Sequence, residues 1–175
     1  MQKNWYIVYT KPKYEKKVAA LLAKRKIDSF CPFNSKLVNS SRRNKMLKEP
    51  LFNAYVFVHT TPADITQVLH VDGVINLVYW KGSPAIINED EIETIKGFIA
   101  DYRNIKILRT QVNVDDVARI IDGPSYSIDG KVVTVKNKMI KVNLPSLGYT
   151  LIAEMQTDNV MGREISFGNK ELLLQ

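Results

Sequence analysis

The stretch from Glu49 to Val58, Glu-Pro-Leu-Phe-Asn-Ala-Tyr-Val-Phe-Val, constrains this chain more than any other ten residues. Its second half alternates, with Tyr55 and Phe57 on one side of an extended backbone and Ala54, Val56 and Val58 on the other. Successive side chains of a strand point to opposite faces, so one face enters a core while the other presents two rings. Burying one aromatic side chain is worth about 2 to 3 kcal/mol. The ring-bearing face therefore requires a cover, either a second layer of this chain or another protein.

The surroundings of that strand read as a mixed domain. Trp5 to Thr10 alternates as a strand rich in aromatic and β-branched residues. From Tyr14 to Lys26, Val18, Leu21, Leu22 and Arg25 fall at i, i+3, i+4 and i+7, which predicts an amphipathic helix with Pro12 near its first turn. Lys13, Lys17 and Lys24 share one of its faces. Ile27 to Phe33 is a short strand closed by Cys31-Pro32, and the polar, basic run Asn34 to Lys48 reads as a hairpin with an exposed tip. Pro62 to His70 is a short helix with Thr61 as its cap, Asn76 to Trp80 a strand, and Lys81-Gly-Ser-Pro a turn. Asn88 and Glu91 have the spacing of a capping box, starting a helix that runs to about Tyr102 and buries Ile92, Ile95, Phe98 and Ile99.

Periodicity lapses at residues 103–111, the expected linker. Beyond it Val117 to Ile121, Lys131 to Lys136, Met139 to Leu144 and Thr150 to Met155 are short strand-like runs separated by turn signals. Such spacing indicates a small β-barrel. The expected class is α+β: an antiparallel sheet flanked by helices in residues 1–102, a barrel in 112–160, and a tail, 161–175, with no assignment.

Charge is placed unevenly along the 175 residues. Residues 1–48 hold 13 Lys/Arg against 2 Asp/Glu, and the remaining residues 12 against 16, for a net charge of +7. A basic block beside a mildly acidic remainder points to a nucleic-acid or acidic-protein partner, or to a solvated lysine-rich surface. With 45% hydrophobic residues the chain has the material for a core, which argues against wholesale disorder. No apolar run approaches the roughly 18 to 20 residues that span a bilayer, and the N-terminus lacks the pattern of a signal peptide. The single cysteine, Cys31, fits a reducing compartment. The expected location is the cytoplasm, with no membrane partner.

Enzymatic readings find no support. His59, His70 and Cys31 do not make a zinc cluster at the usual spacings, and no phosphate-cradling glycine loop is present. Cys31 beside Pro32 reads as a small buried side chain. Glu89, Asp90, Glu91 and Glu93 crowd a helix start, where the helix dipole stabilises carboxylates without a metal. No enzyme activity, cofactor or metal is expected.

Several segments, in order, carry a family resemblance. Trp5-Tyr-Ile-Val-Tyr-Thr-Lys-Pro-Lys-Tyr-Glu-Lys-Lys-Val18 resembles the opening strand and helix of NusG-type transcription elongation factors. Pro50 to Val58 is similar to their central strand. Val71-Asp-Gly-Val-Ile-Asn-Leu-Val, then Gly82-Ser-Pro-Ala-Ile-Ile-Asn and Glu91, resembles the end of that NGN domain. Val114 to Val117, Asp122-Gly-Pro and Gly130-Lys-Val-Val resemble a KOW module, although Ser125 and Ser127 stand where that turn usually has an aromatic and a glycine, and Tyr126 is displaced by one position. The Glu49-Pro-Leu-Phe spelling, Trp80-Lys-Gly-Ser-Pro-Ala-Ile and the basic hairpin look like specialised members, RfaH and the UpxY-type antiterminators of capsular polysaccharide operons. The stretch from Pro62 to Gly73 lacks the Thr-rich run of RfaH.

The resemblance implies binding without covalent chemistry. The N-terminal domain would dock on the clamp helices of the largest catalytic subunit of RNA polymerase, bridge the DNA cleft, and suppress pausing and termination, as a monomer. Carried over by position, the docking patch is Tyr9, Phe52, Tyr55 and Phe57. Without the resemblance, packing of these rings beneath a helix or the second domain is the alternative. Lys11, Lys13, Lys16, Lys17 and Lys24, with Arg42, Arg43 and Lys45 of the hairpin, would face DNA of the transcription bubble. The KOW-like domain would bind a ribosomal protein or a termination factor, and its β-branched runs and Pro/Gly punctuation favour strands over a helical refold. The rival readings are a general NusG and, from another class, a KOW-type RNA- or ribosome-binding protein.

Overall fold

The computed structural model describes residues 2–40, 43–109, 125–128, 131–136 and 139–154. The chain divides into two compact units, Met1–Asn34 with Lys48–Ile95, and Ser35–Leu47 with Lys96–Gln175.

In chain order the elements are β1 (Asn4–Thr10), α1 (Glu15–Lys24), β2 (Asp28–Phe30), β3 (Phe33–Ser40), β4 (Arg43–Pro50), β5 (Tyr55–Thr60), a 3-10 turn (Pro62–Asp64) and α2 (Ile65–Leu69). There follow β6 (Val74–Leu77), β7 (Tyr79–Trp80), β8 (Ser83–Pro84), β9 (Ile86–Ile87) and α3 (Glu89–Asp101). The second unit adds β10 (Lys106–Arg109), β11 (Ser125–Ile128), β12 (Lys131–Lys136), β13 (Met139–Leu144) and β14 (Tyr149–Glu154).

β1 organises the first unit. It lies between β5 on one side and both β6 and β9 on the other, giving the order β2-β5-β1-β6 with β9 on the free length of β1. All these pairings are antiparallel, and the β1–β5 ladder runs without a break from Asn4↔Thr60 to Tyr9↔Tyr55. Alternation then assigns the faces. Tyr6, Val8, Val56, Val58 and Leu77 point into one core, where Val18 and Leu22 of α1 meet Val68 of α2 and Val71 just beyond it. Leu21, Ile27 and Cys31 pack around its edge. The sequence period thus placed α1 correctly, with Val18 and Leu22 fully buried.

α1 ends in a Schellman motif that its sequence conceals. The Lys26 N–H donates to Ala23 O and the Ile27 N–H to Leu22 O, each at 3.0 Å, with Lys26 in the left-handed region at φ +59°. Glycine is the usual residue there. Arg25, expected on the buried face, is exposed instead. Its guanidinium donates to the Gln67 and His70 carbonyls at 3.0 and 3.3 Å, pinning α1 to the end of α2.

The expected basic hairpin forms, as the two-stranded ribbon β3–β4, which extends to Pro50. α3 buries Ile92, Ile95 and Phe98 completely, whereas Ile99 is half-buried.

In the second unit five strands pair antiparallel in the order β10-β14-β13-β12-β11. Ile140, Val142 and Leu144 of β13 are buried while Lys141 between them is exposed, the period-2 signature of a one-sided core. Two features differ from the expectation. Residues 106–109, inside the expected linker, form β10 and pair with β14 from Lys106↔Ile152 to Arg109↔Tyr149. Ser125–Ile128, read as part of a turn region, is the edge strand β11. The expected strand Val117 to Ile121 and the tail 161–175 lie outside the described residues. No helix among the described residues is long and apolar enough to cross a membrane.

Candidate functional site

The face of the first sheet turned away from α1 and α2 carries Trp5, Ile7 and Tyr9 of β1. They stand opposite His59, Phe57 and Tyr55 of β5, pair for pair. β2 adds Asp28 beside His59 and Phe30 beside Phe57. Three zones follow along the strands.

At the first end, Trp5 stacks on His59 with ring centroids 4.8 Å apart. The Trp5 Nε1–H donates to Glu89 Oε2 at 2.6 Å, tying β1 to the start of α3, and His59 Nδ1 lies 3.6 Å from Asp28 Oδ2. The middle is a ring cluster. Phe57 is fully buried, with Phe52 edge-on at 5.5 Å and Phe30 at 6.2 Å. At the far end Tyr9 and Tyr55 meet edge-to-face at 6.0 Å, and Tyr9 is 41% exposed.

Of the expected patch, then, Tyr9 and Tyr55 form one contacting pair and Phe52 and Phe57 another, but only the first pair reaches the surface. Phe52 is 4% exposed and Phe57 0%. Sequence alternation identified the ring-bearing face correctly and left open its depth, because period 2 says which side a residue is on and nothing about what lies over it.

The turn between Phe52 and Tyr55 has unusual local geometry. Ala54 adopts φ +61°, the left-handed region, which places an L residue's Cβ too close to the following carbonyl. Its N–H donates to Glu15 Oε1 at 2.7 Å, and its carbonyl accepts the Thr10 N–H at 2.8 Å. Glu15, in the first turn of α1, is only 4% exposed. Burial first, and the Glu15 charge second, push the Cys31 thiol up to about 12. This fits a packed side chain, not a nucleophile.

Most of the basic residues surround the start of α1, while Lys24 ends it. Lys11, Lys13, Lys16, Lys17 and Lys24 are all exposed, Lys13 with φ +66° in the loop rather than in the helix. Lys17 is engaged: its Nζ lies 2.7 Å from Asp72 Oδ2 and 4.8 Å from the Tyr14 ring centroid. The hydrogen bond to Asp72 raises the Lys17 pKa above the ordinary lysine value and holds the Asp72 carboxyl below the ordinary carboxylate range. Lys11 Nζ lies 5.7 Å from the same ring, and its N–H donates to Gly73 O at 2.8 Å. Gly73 is obligatory here, since φ is +93° and a Cβ would fall 2.6 Å from Tyr14 Cδ1. In the ribbon, Lys45 is exposed and Arg43 belongs to β4. Arg42 lies outside the described residues. The α1 lysines and Lys45 belong to different units.

Sequence reading missed two features. One is the Glu15–Ala54 contact, which joins residues 39 apart. The other is the return strand β8 and the display of Tyr79 at 51% and Trp80 at 72% exposure on the β7–β8 hairpin, whose turn at Lys81-Gly82 was expected. The two loop residues of that hairpin, Lys81 and Gly82, both have positive φ, 49° and 82°, the conformation of a type I′ turn. The Lys-Gly pair was the signal for that turn. Among the described residues no group of three His, Cys, Asp or Glu could hold a metal ion.

This arrangement meets a matching family description. A family model described as transcription termination factor nusG matches residues 3–96, which span the whole sheet and most of α3. The chain belongs to the NusG family. Curated relatives include NusG of Streptococcus pyogenes, 26% identical over 168 residues and covering 88% of this chain and 93% of the relative. NusG of Bacillus subtilis is 29% identical over 160 residues, covering 82% and 88%. Both are named transcription termination/antitermination proteins. A solved structure of Thermotoga maritima NusG shares the fold, with a TM-score of 0.51 at 22% identity over 89% of this chain and 94% of that one. The chain is accordingly a NusG-type transcription termination/antitermination factor, not an enzyme.

Proposed function

We propose that the chain docks on bacterial RNA polymerase through the Tyr9–Tyr55 end of its second sheet face and suppresses pausing and termination there. The observation that carries this reading is the edge-to-face tyrosine pair, Tyr9 exposed and Tyr55 half-buried, held at the end of an unbroken six-pair ladder. Rigid aromatics on a strand give large contact area at low entropy cost, the usual character of an interface anchor. The contacted element is the pair of clamp helices of the largest catalytic subunit. Phe52 and Phe57 then act beneath the surface, fixing Tyr55 rather than meeting the partner.

Lys11, Lys13, Lys16 and Lys24, with Lys17 partly neutralised by Asp72, face the DNA of the transcription bubble, and Arg42, Arg43 and Lys45 of the second unit are further candidates for contact with that DNA. Phosphate contacts of this kind position a protein without reading sequence. The C-terminal region is a KOW-type barrel that binds a ribosomal protein or a termination factor, and the protein works as a cytoplasmic monomer.

Action on particular operons is the favoured scope, from the spelling around Glu49 and Trp80. A general NusG role is the second reading, supported by coverage of nearly the full length of the curated NusG proteins. Mapping transcripts after deletion separates them. One shortened operon transcript supports the specialist, and broad change supports the general factor. Absence of any effect on pausing by purified polymerase, with capture of RNA instead, would replace both with an RNA-binding role.

A further inference from the structure

We propose that Glu15 is a positioning residue for docking: its buried carboxylate holds Ala54 in the left-handed conformation that sets Tyr55, and with it Tyr9, in the arrangement the partner meets. The inference rests on the docking reading above and adds what maintains that surface.

Three contacts converge on the tyrosine pair. Tyr9 and Tyr55 are the last cross-strand partners of the β1–β5 ladder. The residue after Tyr9, Thr10, donates its N–H to the residue before Tyr55, Ala54, at 2.8 Å. Ala54 in turn donates its N–H to Glu15 Oε1 at 2.7 Å, in a buried setting. Ala54 has φ +61°, a conformation that a non-glycine residue keeps only where its surroundings impose it. The acceptor on Glu15 is what imposes it. Without that acceptor the Ala54 N–H is buried unpaired and the strain has no offset. Residue 54 then relaxes to an ordinary conformation, and the chain enters Tyr55 from a different direction. Glu15 also opens α1, beside Lys16 and Lys17, so one contact fixes the aromatic pair relative to the basic helix.

Glycine supplies the discriminating test, because it occupies the left-handed region unaided. If Glu15 acts through Ala54, Ala54→Gly rescues a Glu15 variant; if Glu15 only supports the core, it does not. Affinity of the full chain for purified RNA polymerase is measured together with the nuclear Overhauser effect between the Tyr9 and Tyr55 rings, which needs no polymerase. Glu15→Ala is expected to weaken affinity at least tenfold and to lose the ring-to-ring effect. Glu15→Ala with Ala54→Gly is expected to restore the effect and to return affinity to within threefold of the parent, as is Glu15→Gln alone, which keeps the acceptor. Should Glu15→Ala fail to fold, Glu15→Asp withdraws the acceptor by one methylene, with the same loss and the same glycine rescue expected.

A Glu15→Ala protein with unchanged ring contact and affinity would overturn the proposal. So would loss that Ala54→Gly leaves unrepaired. Tyr55→Ala is the control: if it binds polymerase normally, the docking reading fails, while the ring contact still reports on the Glu15–Ala54 link by itself.

Discussion

Replacing Phe57 by alanine separates the core of the ring-bearing face from its surface. Phe57 is fully buried, and its ring meets Phe52 at 5.5 Å and Phe30 at 6.2 Å. Truncation loses the transfer free energy of the ring and leaves a cavity between two aromatics, a combination that costs about 3 to 5 kcal/mol. Against a domain stability of about 5 to 15 kcal/mol, that is a large fraction. Tyr55→Ala differs. Its side chain is half-buried, and the edge contact with Tyr9 is worth about 0.5 to 1.5 kcal/mol beyond area, so the total loss stays near 2 kcal/mol. Urea unfolding reads both, through the fluorescence of Trp5, which is 5% exposed on the same face, while Trp80, at 72%, adds a nearly constant background. With a urea slope of about 1 to 3 kcal/mol per molar, Phe57→Ala moves the midpoint down by at least about 1 M, well beyond Tyr55→Ala. A Phe57→Ala midpoint within about 0.3 M of the parent would refute the assignment of this ring to the core.

Further outcomes follow from three other sites. Lys26 sits left-handed at the end of α1, so Lys26→Gly should stabilise the protein by about 0.5 to 1 kcal/mol in the same urea assay. With the Cys31 thiol pushed up to about 12, only about one in 10⁴ is thiolate at pH 8, and alkylation by iodoacetamide should be at least about 10³ times slower folded than in urea. Because the folded pKa is raised, the stability Cys31 contributes is complete below the unfolded pKa near 9 and is lost as pH rises toward 12; Cys31→Ala should flatten that alkaline fall. Removing both Lys16 and Lys24 should reduce the slope of log affinity for duplex DNA against log salt by about 2 and leave urea stability unchanged.

Much of the first unit was legible because its periods are clean. Alternation around Val56 and Val58 assigned the core face of β5, and the 3.6-residue spacing of Val18 and Leu22 assigned that of α1. What stayed hidden depends on contacts distant in sequence or on residues in uncharacteristic roles. Lys26 occupies a position where glycine signals a helix end, Arg25 caps another helix's carbonyls instead of lining a core, and Ala54 holds a turn conformation that alanine does not advertise. At the candidate site, Tyr9, Phe52, Tyr55 and Phe57 came from the family resemblance, position by position, and depth within the fold, which no local pattern encodes, makes Phe52 and Phe57 core. β10 fell inside the expected linker because periodicity lapses over residues 103–111; its pairing with β14 comes from tertiary context.

The proposed docking surface is the tyrosine pair, with Tyr9 exposed and Tyr55 half-buried beside it. The affinity of the full chain carrying both Tyr9→Ala and Tyr55→Ala for purified RNA polymerase tests it most directly, with Trp5 fluorescence confirming a native fold. A loss of at least about 2 kcal/mol, some thirtyfold in Kd, is the predicted result. Unchanged affinity in a folded double variant would contradict the account and move the interface elsewhere on the molecule.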